Sequence, residues 1–441
     1  MPDILNFARS LGFRDLPGEA VHHARRCLLD LLGVAAAGTA TGLSSIIREH
    51  AVENFAAGPK RRAAFLFDGR SVSPVGAAMA NAMTIDSVDA HDGYPECMGH
   101  VGVGILSAIM AMPDFRALSG QELLARIVVG YELGSRLGVA QHGTVPDYHT
   151  SGSWCALANA ALAARALGLS HEQTRHAVGI AEYHGPRSQM MRVIDHPTML
   201  KDGSGWGAMC GVSAALLAAD GFTGAPALLI ESDEAAPYWS SLGSEWRITT
   251  QYFKPDPVCR WAQPPVQAVR DLKEAHHLSS TDIDHIEVAS FHEAVRLAAR
   301  APADTEQAQY SLPFPVAVAA VHGDIPPTAI QGAGLNDPEV LRLSQSMMLS
   351  ERDTYNDLFP KERIADVAVC LKDGTVLRSG PTVARGSAEN RLNDDEVLAK
   401  FMAYASSLCG EGRAGELRDL VWSIEGQTDL SAFAGLIFDP A

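Results

Sequence analysis

"WGAMCGVSAALLAADGFTG", residues 206–224, decides the fold class. The run is apolar on nearly every side of a helical wheel, which predicts a helix inside a helical core rather than one laid on a surface. Asp220-Gly221 ends it, glycine being the usual residue just past a helix terminus. Its Ala, Gly and Ser side chains leave room for neighbouring helices to approach closely. The surrounding segments read the same way. "AVHHARRCLLDLLGVAAAG" (20–38) has apolar positions at helical spacing and ends in Gly38. "SGQELLARIVVGYELGSRLGVA" (119–140) opens with a capping box from Ser119 to Glu122, and "SHEQTRHAVGIAEYHG" (170–185) with another from Ser170 to Gln173.

The texture changes after "FKPDPVCRWAQPP" (253–265). "HIEVASF" (285–291) alternates like a strand, and "ADVAVCLKDGTVLRSG" (365–380) is two alternating runs around Asp373-Gly374, a hairpin signal. Between them "PFPVAVAAVHG" (313–323) and "DPEVLRLSQSM" (337–347) read as helices, and from "NDDEVLAKFMAYASSL" (393–408) the chain returns to helix. No solenoid repeat is visible. The expectation is a mostly α protein: a large all-helical domain from residues 1–264 and 392–441, with a smaller α+β lid domain, 265–391, inserted late. A length of 441 residues suits two or three domains.

A formal net charge of −17 makes nucleic acid and anionic membranes poor partners. Between Lys60 and Lys254 the only lysine is Lys201, so it stands out. Seven cysteines, at 27, 97, 155, 210, 259, 370 and 409, show no CxxC or metal-ligand spacing. That odd, scattered set predicts a reducing compartment and no disulfide framework. The N-terminus lacks the basic start and apolar core of a signal peptide, and no stretch of about 18 apolar residues suggests a membrane span. The expectation is a soluble, cytoplasmic protein.

Four stretches can carry chemistry. "DSVDAHDGYPECMGHVG" (86–102) sets Asp89, His91, Asp92 and His100 into an apolar surrounding. Read blandly it is a solvated loop with capping aspartates. Read functionally, a histidine beside carboxylates suits proton transfer near neutral pH. "DHPTMLKDGSGWGAM" (195–209) puts Lys201 before a glycine-rich helix start, where free N–H groups and a cation make an anion pocket. Gly203, Gly205 and Gly207 do not form GxGxxG, which argues against a dinucleotide site. "FKPDPVCRWAQPP" sets Lys254, Cys259 and Arg260 among prolines, as either a stiff linker or an anion clamp. The thiol of Cys259, near cations, is a lesser candidate nucleophile. His149 in "PDYHTSGSW" (146–154) and Tyr310 in "AQYSLPFPVA" (308–317) complete the set, each with a packing reading beside the catalytic one.

Taken together the chain resembles the MmgE/PrpD family. The match runs through "CLLDLLGVAAAG", the Asp-rich loop ending in histidine, "HTSGSW", "AARALGLS", "MLKDGSGWGAMCGVSAALLAADGFTG", "FKPDPVCRWAQP", "AQYSLPFPVAVAAVHGDI" and "DEVLAKF", in order. The resemblance implies a large helical domain with an α+β lid, a homodimer, and cofactor-free action on small polycarboxylates. Such reactions include 2-methylcitrate dehydration, cis-aconitate decarboxylation and iminodisuccinate epimerisation. It carries the family's loop aspartate onto Asp89, its loop histidine onto His100, its two lysines onto Lys201 and Lys254, the histidine before a small-residue helix onto His149, and the lid tyrosine onto Tyr310. The family commonly has Asp-Phe-Asp-Asp-Thr where this chain reads Asp89-Ala90-His91-Asp92-Gly93, and its decarboxylase branch has histidine where Cys259 stands.

The expected function is a cofactor-independent lyase, a dehydratase or decarboxylase, with epimerase or isomerase as the alternative within the family. Lys201, Lys254 and Arg260 would hold carboxylates, with His91, Asp92 and Cys259 as further substrate contacts. His100, oriented by Asp89 or Asp92, would be the acid/base, with His149 in reserve and Tyr310 moving a second proton. No metal is expected. Two rivals of other classes are an HD-type metal phosphohydrolase built on His91-Asp92, for which His50 and Asp147 are the rough further ligands, and an inactive helical scaffold.

Overall fold

The computed structural model describes residues 3–441; Met1 and Pro2, the first residues of the expected helical domain, lie outside it. Helices hold 59% and strands 8%, so the protein is mostly α. The opening stretch forms the helix Ser204–Ala219. It packs against Ser151–Ala166 most extensively, and also against Pro74–Asp86, His171–His184 and Gly102–Met110. Small residues make the closest crossing: a Cβ on Gly211 would stand 2.5 Å from Asn159 Cβ and 2.6 Å from the carbonyl oxygen of Ala156. This helix is not buried all round, however. Trp206 and Leu217, eleven residues apart on one edge, are 42% and 38% exposed, and Tyr183, Phe222 and Leu228 are exposed as well.

Gly18–Gly38 packs along Asp394–Trp422, so the chain returns after the sheet to the first hydrophobic core. Of the two expected capping boxes only that of Ser170 and Gln173 closes in both directions. Ser119 accepts from the Glu122 amide, but the Glu122 carboxylate turns to Arg126 and Arg165. Two short strands, β1 (Ala63–Ala64) and β2 (Ser71–Val72), pair within the helical part, too short to leave an alternation pattern.

A second hydrophobic core gathers Val258 to Val369 together with Met190, Val193 and Ile194. Its sheet contains β3 (Ile283–Ser290), β4 (Met348–Glu351), β5 (Ile364–Leu371), β6 (Val376–Arg378) and β7 (Thr382–Val383). Strand order is β4-β3-β5-β6, with β7 also on β5; β3 and β4 run parallel and the other pairs antiparallel. Asp373-Gly374 makes the β5–β6 turn as expected; helices Gln263–His276 and Pro338–Ser346 pack on the sheet, and Pro313–His322 packs on those two helices. Among the described residues no single helix is long and apolar enough to cross a membrane.

Candidate active site

The polar break at 86–102 connects Pro74–Asp86 to Gly102–Met110 and is not solvated. Asp86, His91 and Asp92 are fully buried and Asp89 is 2% exposed. Backbone pairing fixes the loop: Gly93 and Tyr252 exchange N–H···O bonds of 3.1 and 2.8 Å, and Tyr94 donates to the Gly99 carbonyl at 2.9 Å. A Cβ on Gly93 would lie 2.3 Å from the Tyr252 hydroxyl, so the threonine that the resemblance leads one to expect has no room. Asp89, Met98 and Lys201 each hold a positive φ of 50–51°. Such backbone costs about 1–3 kcal/mol per residue and is kept where surroundings over-determine it, often at active sites.

A cavity of about 30 Å³ lies between this loop and the second core, lined by Asp89, His100, Lys254, Cys259, Arg260 and Tyr310. All six were expected from the sequence. Tyr148, Asp202, Tyr252 and Arg363 also line it and were not. Lys254 Nζ donates to Asp89 Oδ1 at 2.7 Å and to the Asp89 carbonyl at 2.9 Å. Lys201 is 1% exposed and lines a neighbouring cavity of about 310 Å³. Its ammonium turns inward, donates to Gln309 Oε1 and stands 4.8 Å from the centre of the Tyr310 ring. Gln309 in turn donates to the Ser87 carbonyl at 2.8 Å and accepts from the Cys259 amide at 2.9 Å, tying the loop to the second core. Arg260 lies over the Tyr252 ring at 4.5 Å.

Burial works to raise the Asp89 pKa, but Lys254, Lys201 and His91 outweigh it and hold the group below its ordinary value. His100 shows the opposite balance. Burial, then the charges of Lys254 and His91, push it well below the ordinary imidazole value. His100 Nδ1 lies 2.7 Å from the Asp92 carbonyl. A carbonyl only accepts, so Nδ1 carries the proton and Nε2 keeps a lone pair for base chemistry. The orienting group is thus the Asp92 backbone rather than a carboxylate. Asp202, 2% exposed, has its pKa raised to about 6 by burial and by Asp86, against a hydrogen bond from Ser151. Burial and Asp89 push the Tyr310 phenol well up, so it stays a proton donor.

Several expected residues stand elsewhere. The Asp92 carboxyl faces inward to Tyr131, its pKa raised to about 6 by burial, so it offers the cavity no substrate contact. His91 sits behind His100, ring centres 4.3 Å apart, and reaches Asp86 at 3.1 Å and Asp89 at 3.8 Å. His149 is off the cavity wall: Nδ1 donates to the Asp147 carbonyl at 2.8 Å. Burial pushes the Cys259 thiol up to about 12, which removes the nucleophile reading. For the phosphohydrolase rival, Asp86, Asp89 and His91 are close enough to share an ion, but His50 and Asp147 do not join them and are exposed. Asp89 in that trio already holds the ammonium of Lys254.

Asp202 was legible as a carboxylate next to the isolated Lys201. Tyr252 precedes the proline-rich turn with no signal of its own, and Lys361-Glu362-Arg363 reads as an ordinary solvated run.

Residues 2–249 match the model of the MmgE/PrpD N-terminal domain and residues 257–425 that of the MmgE/PrpD C-terminal domain. The chain is 23% identical to a cis-aconitate decarboxylase of Aspergillus terreus, over 99% of this chain and 96% of that protein. It is 24% identical to the cis-aconitate decarboxylases of Mus musculus, over 96% of this chain and 90% of the relative, and Homo sapiens, over 97% and 92%.

Proposed function

The chain belongs to the MmgE/PrpD family, whose relatives above are lyases, and from that premise we propose that it is a cofactor-independent lyase of small di- or tricarboxylates. The observation that carries this reading is the meeting of Lys254, Arg260, His100 and Tyr310 at one cavity, with Lys201 beside it against the Tyr310 ring. Carbon next to a carboxylate is a weak acid, so charge developing there must be stabilised in a dry site. Lys254, Arg260 and Lys201 supply that stabilisation and grip the carboxylates. Substrate charge takes over the contact that Asp89 now gives Lys254. His100 Nε2 removes or returns the proton, and Tyr310, a neutral phenol, supplies the second. In decarboxylation the C–C bond breaks, carbon dioxide leaves, the electron pair spreads into the adjacent unsaturated carboxylate system, and a proton returns to carbon. In dehydration the proton leaves carbon and hydroxide departs with the second proton.

The relatives favour decarboxylation. Epimerisation is the second reading, favoured by Asp202 and His100 on the same cavity, two proton-transfer groups for one carbon. The cavity has space on the scale of a water molecule, so a polycarboxylate enters as the two cores move apart. The seven free thiols support a cytoplasmic setting, and the apolar edge at Trp206 and Leu217 supports a homodimer. Carbon NMR of cis-aconitate, 2-methylcitrate and iminodisuccinate incubated with the protein tests the proposal. Conversion of cis-aconitate or 2-methylcitrate, unaffected by chelator, is expected; conversion of iminodisuccinate alone selects the epimerase reading. No conversion of any, or activity that requires a divalent ion, overturns it.

A further inference from the structure

Tyr252, Arg260 and Arg363 line the small cavity and also a second, outer one of about 460 Å³. They therefore form the partition between the two. Both guanidiniums on that partition lack a carboxylate. Arg260 is 7% exposed and donates only to the Arg385 carbonyl at 3.0 Å and to Ser387 Oγ. Arg363 donates to the carbonyls of Pro360 at 2.9 Å and Pro95 at 3.4 Å, and its Nε is buried with no partner. Most other arginines of this acidic chain are paired; these two, side by side and mutually repulsive, are not. Lys361 adds a third cation to the outer cavity, against Glu362 and Glu389. Arg260 is buried and Arg363 half-buried with a buried Nε, and cations placed so without a carboxylate are costly unless an anion arrives to share them; a local positive focus on a chain of charge −17 concentrates anions there.

We propose that the outer cavity is an anion-binding station on the route to the active site, where Arg363, with Arg260, takes a carboxylate of the incoming polycarboxylate before it reaches Lys254. The inference rests on the function proposed above and extends it to substrate capture. It also assigns charge selectivity: an acid with two or three carboxylates can bridge Arg363 and Lys254, and a monocarboxylate cannot.

Calorimetric titration with tricarballylate, glutarate and butyrate at several ionic strengths tests it, with thermal midpoints as the check on folding. Arg363→Gln should weaken tricarballylate at least tenfold and flatten its salt dependence, Arg363→Lys should recover most of the loss, and Glu389→Gln should tighten binding. Butyrate should bind weakly to all. Affinities and salt dependence like the wild type in both Arg363→Gln and Glu389→Gln overturn the station, while loss of tricarballylate binding in Lys201→Gln would leave the inner site standing. Failure of the wild type to bind tricarballylate overturns both.

Discussion

At the scale of single residues, the site combines charges that satisfy one another with protons held where burial puts them. Asp202 is the clearest case. Its pKa is raised to about 6, so the folded chain holds that proton more tightly than the unfolded chain does. Stability therefore falls as pH rises from about 4 to about 6 and the buried carboxyl ionises in place. Asp202→Asn removes this penalty. Relative to the wild type, the variant should gain about 1–3 kcal/mol between pH 4.5 and pH 7.5, read as a thermal-midpoint difference that grows with pH. A difference independent of pH contradicts the assignment. What the sequence displayed at this scale was residue type at special places: a lone lysine, histidine among aspartates, cations between prolines. These single out Asp89, His100, Lys254, Arg260 and Tyr310, which line one cavity, and Lys201 beside it. It could not display direction. Asp92 and His91 sit in the same loop as His100 yet face the interior, because that choice is made by backbone pairing with Tyr252, 159 residues beyond Gly93 in the chain.

At the scale of elements, periodicity and composition located the helices, and small residues announced close crossings. Gly211 shows the consequence. The ideal Cβ would press on Asn159 and Ala156 in the facing helix, so Gly211→Ala should cost about 1–3 kcal/mol by overpacking. Gly415 lies in the Asp394–Trp422 helix with open space around it. There Gly415→Ala should stabilise by about 0.5–1 kcal/mol through helix propensity. Denaturant titration of both variants checks the pair; equal effects would mean that propensity rather than packing governs the crossing. The half-closed box at Ser119 shows where local pattern loses: Glu122 gains two arginines in space and gives up the reciprocal cap.

At the scale of the molecule, two hydrophobic cores meet over one polar cavity, and the second core takes Met190, Val193 and Ile194 from the helical part of the chain. The apolar texture of 206–224 was read as full burial, but hydropathy does not distinguish a protein interior from a surface that another molecule covers. Trp206 and Leu217 are exposed in the single chain, and the proposed homodimer would cover them. Light scattering should give the mass of a dimer, and Trp206→Glu with Leu217→Glu should shift it to the monomer of 46.9 kDa; a wild-type monomer contradicts that part of the account.

In the proposed reaction His100 moves a proton at a carbon whose charge Lys201 and Lys254 stabilise. Solvent deuterium incorporation measures that step. In heavy water the wild type should place deuterium on carbon next to a carboxylate of the converted acid, and His100→Gln and Lys201→Gln should slow this at least about 100-fold with thermal midpoints preserved. Incorporation at the wild-type rate in both variants would contradict the claim.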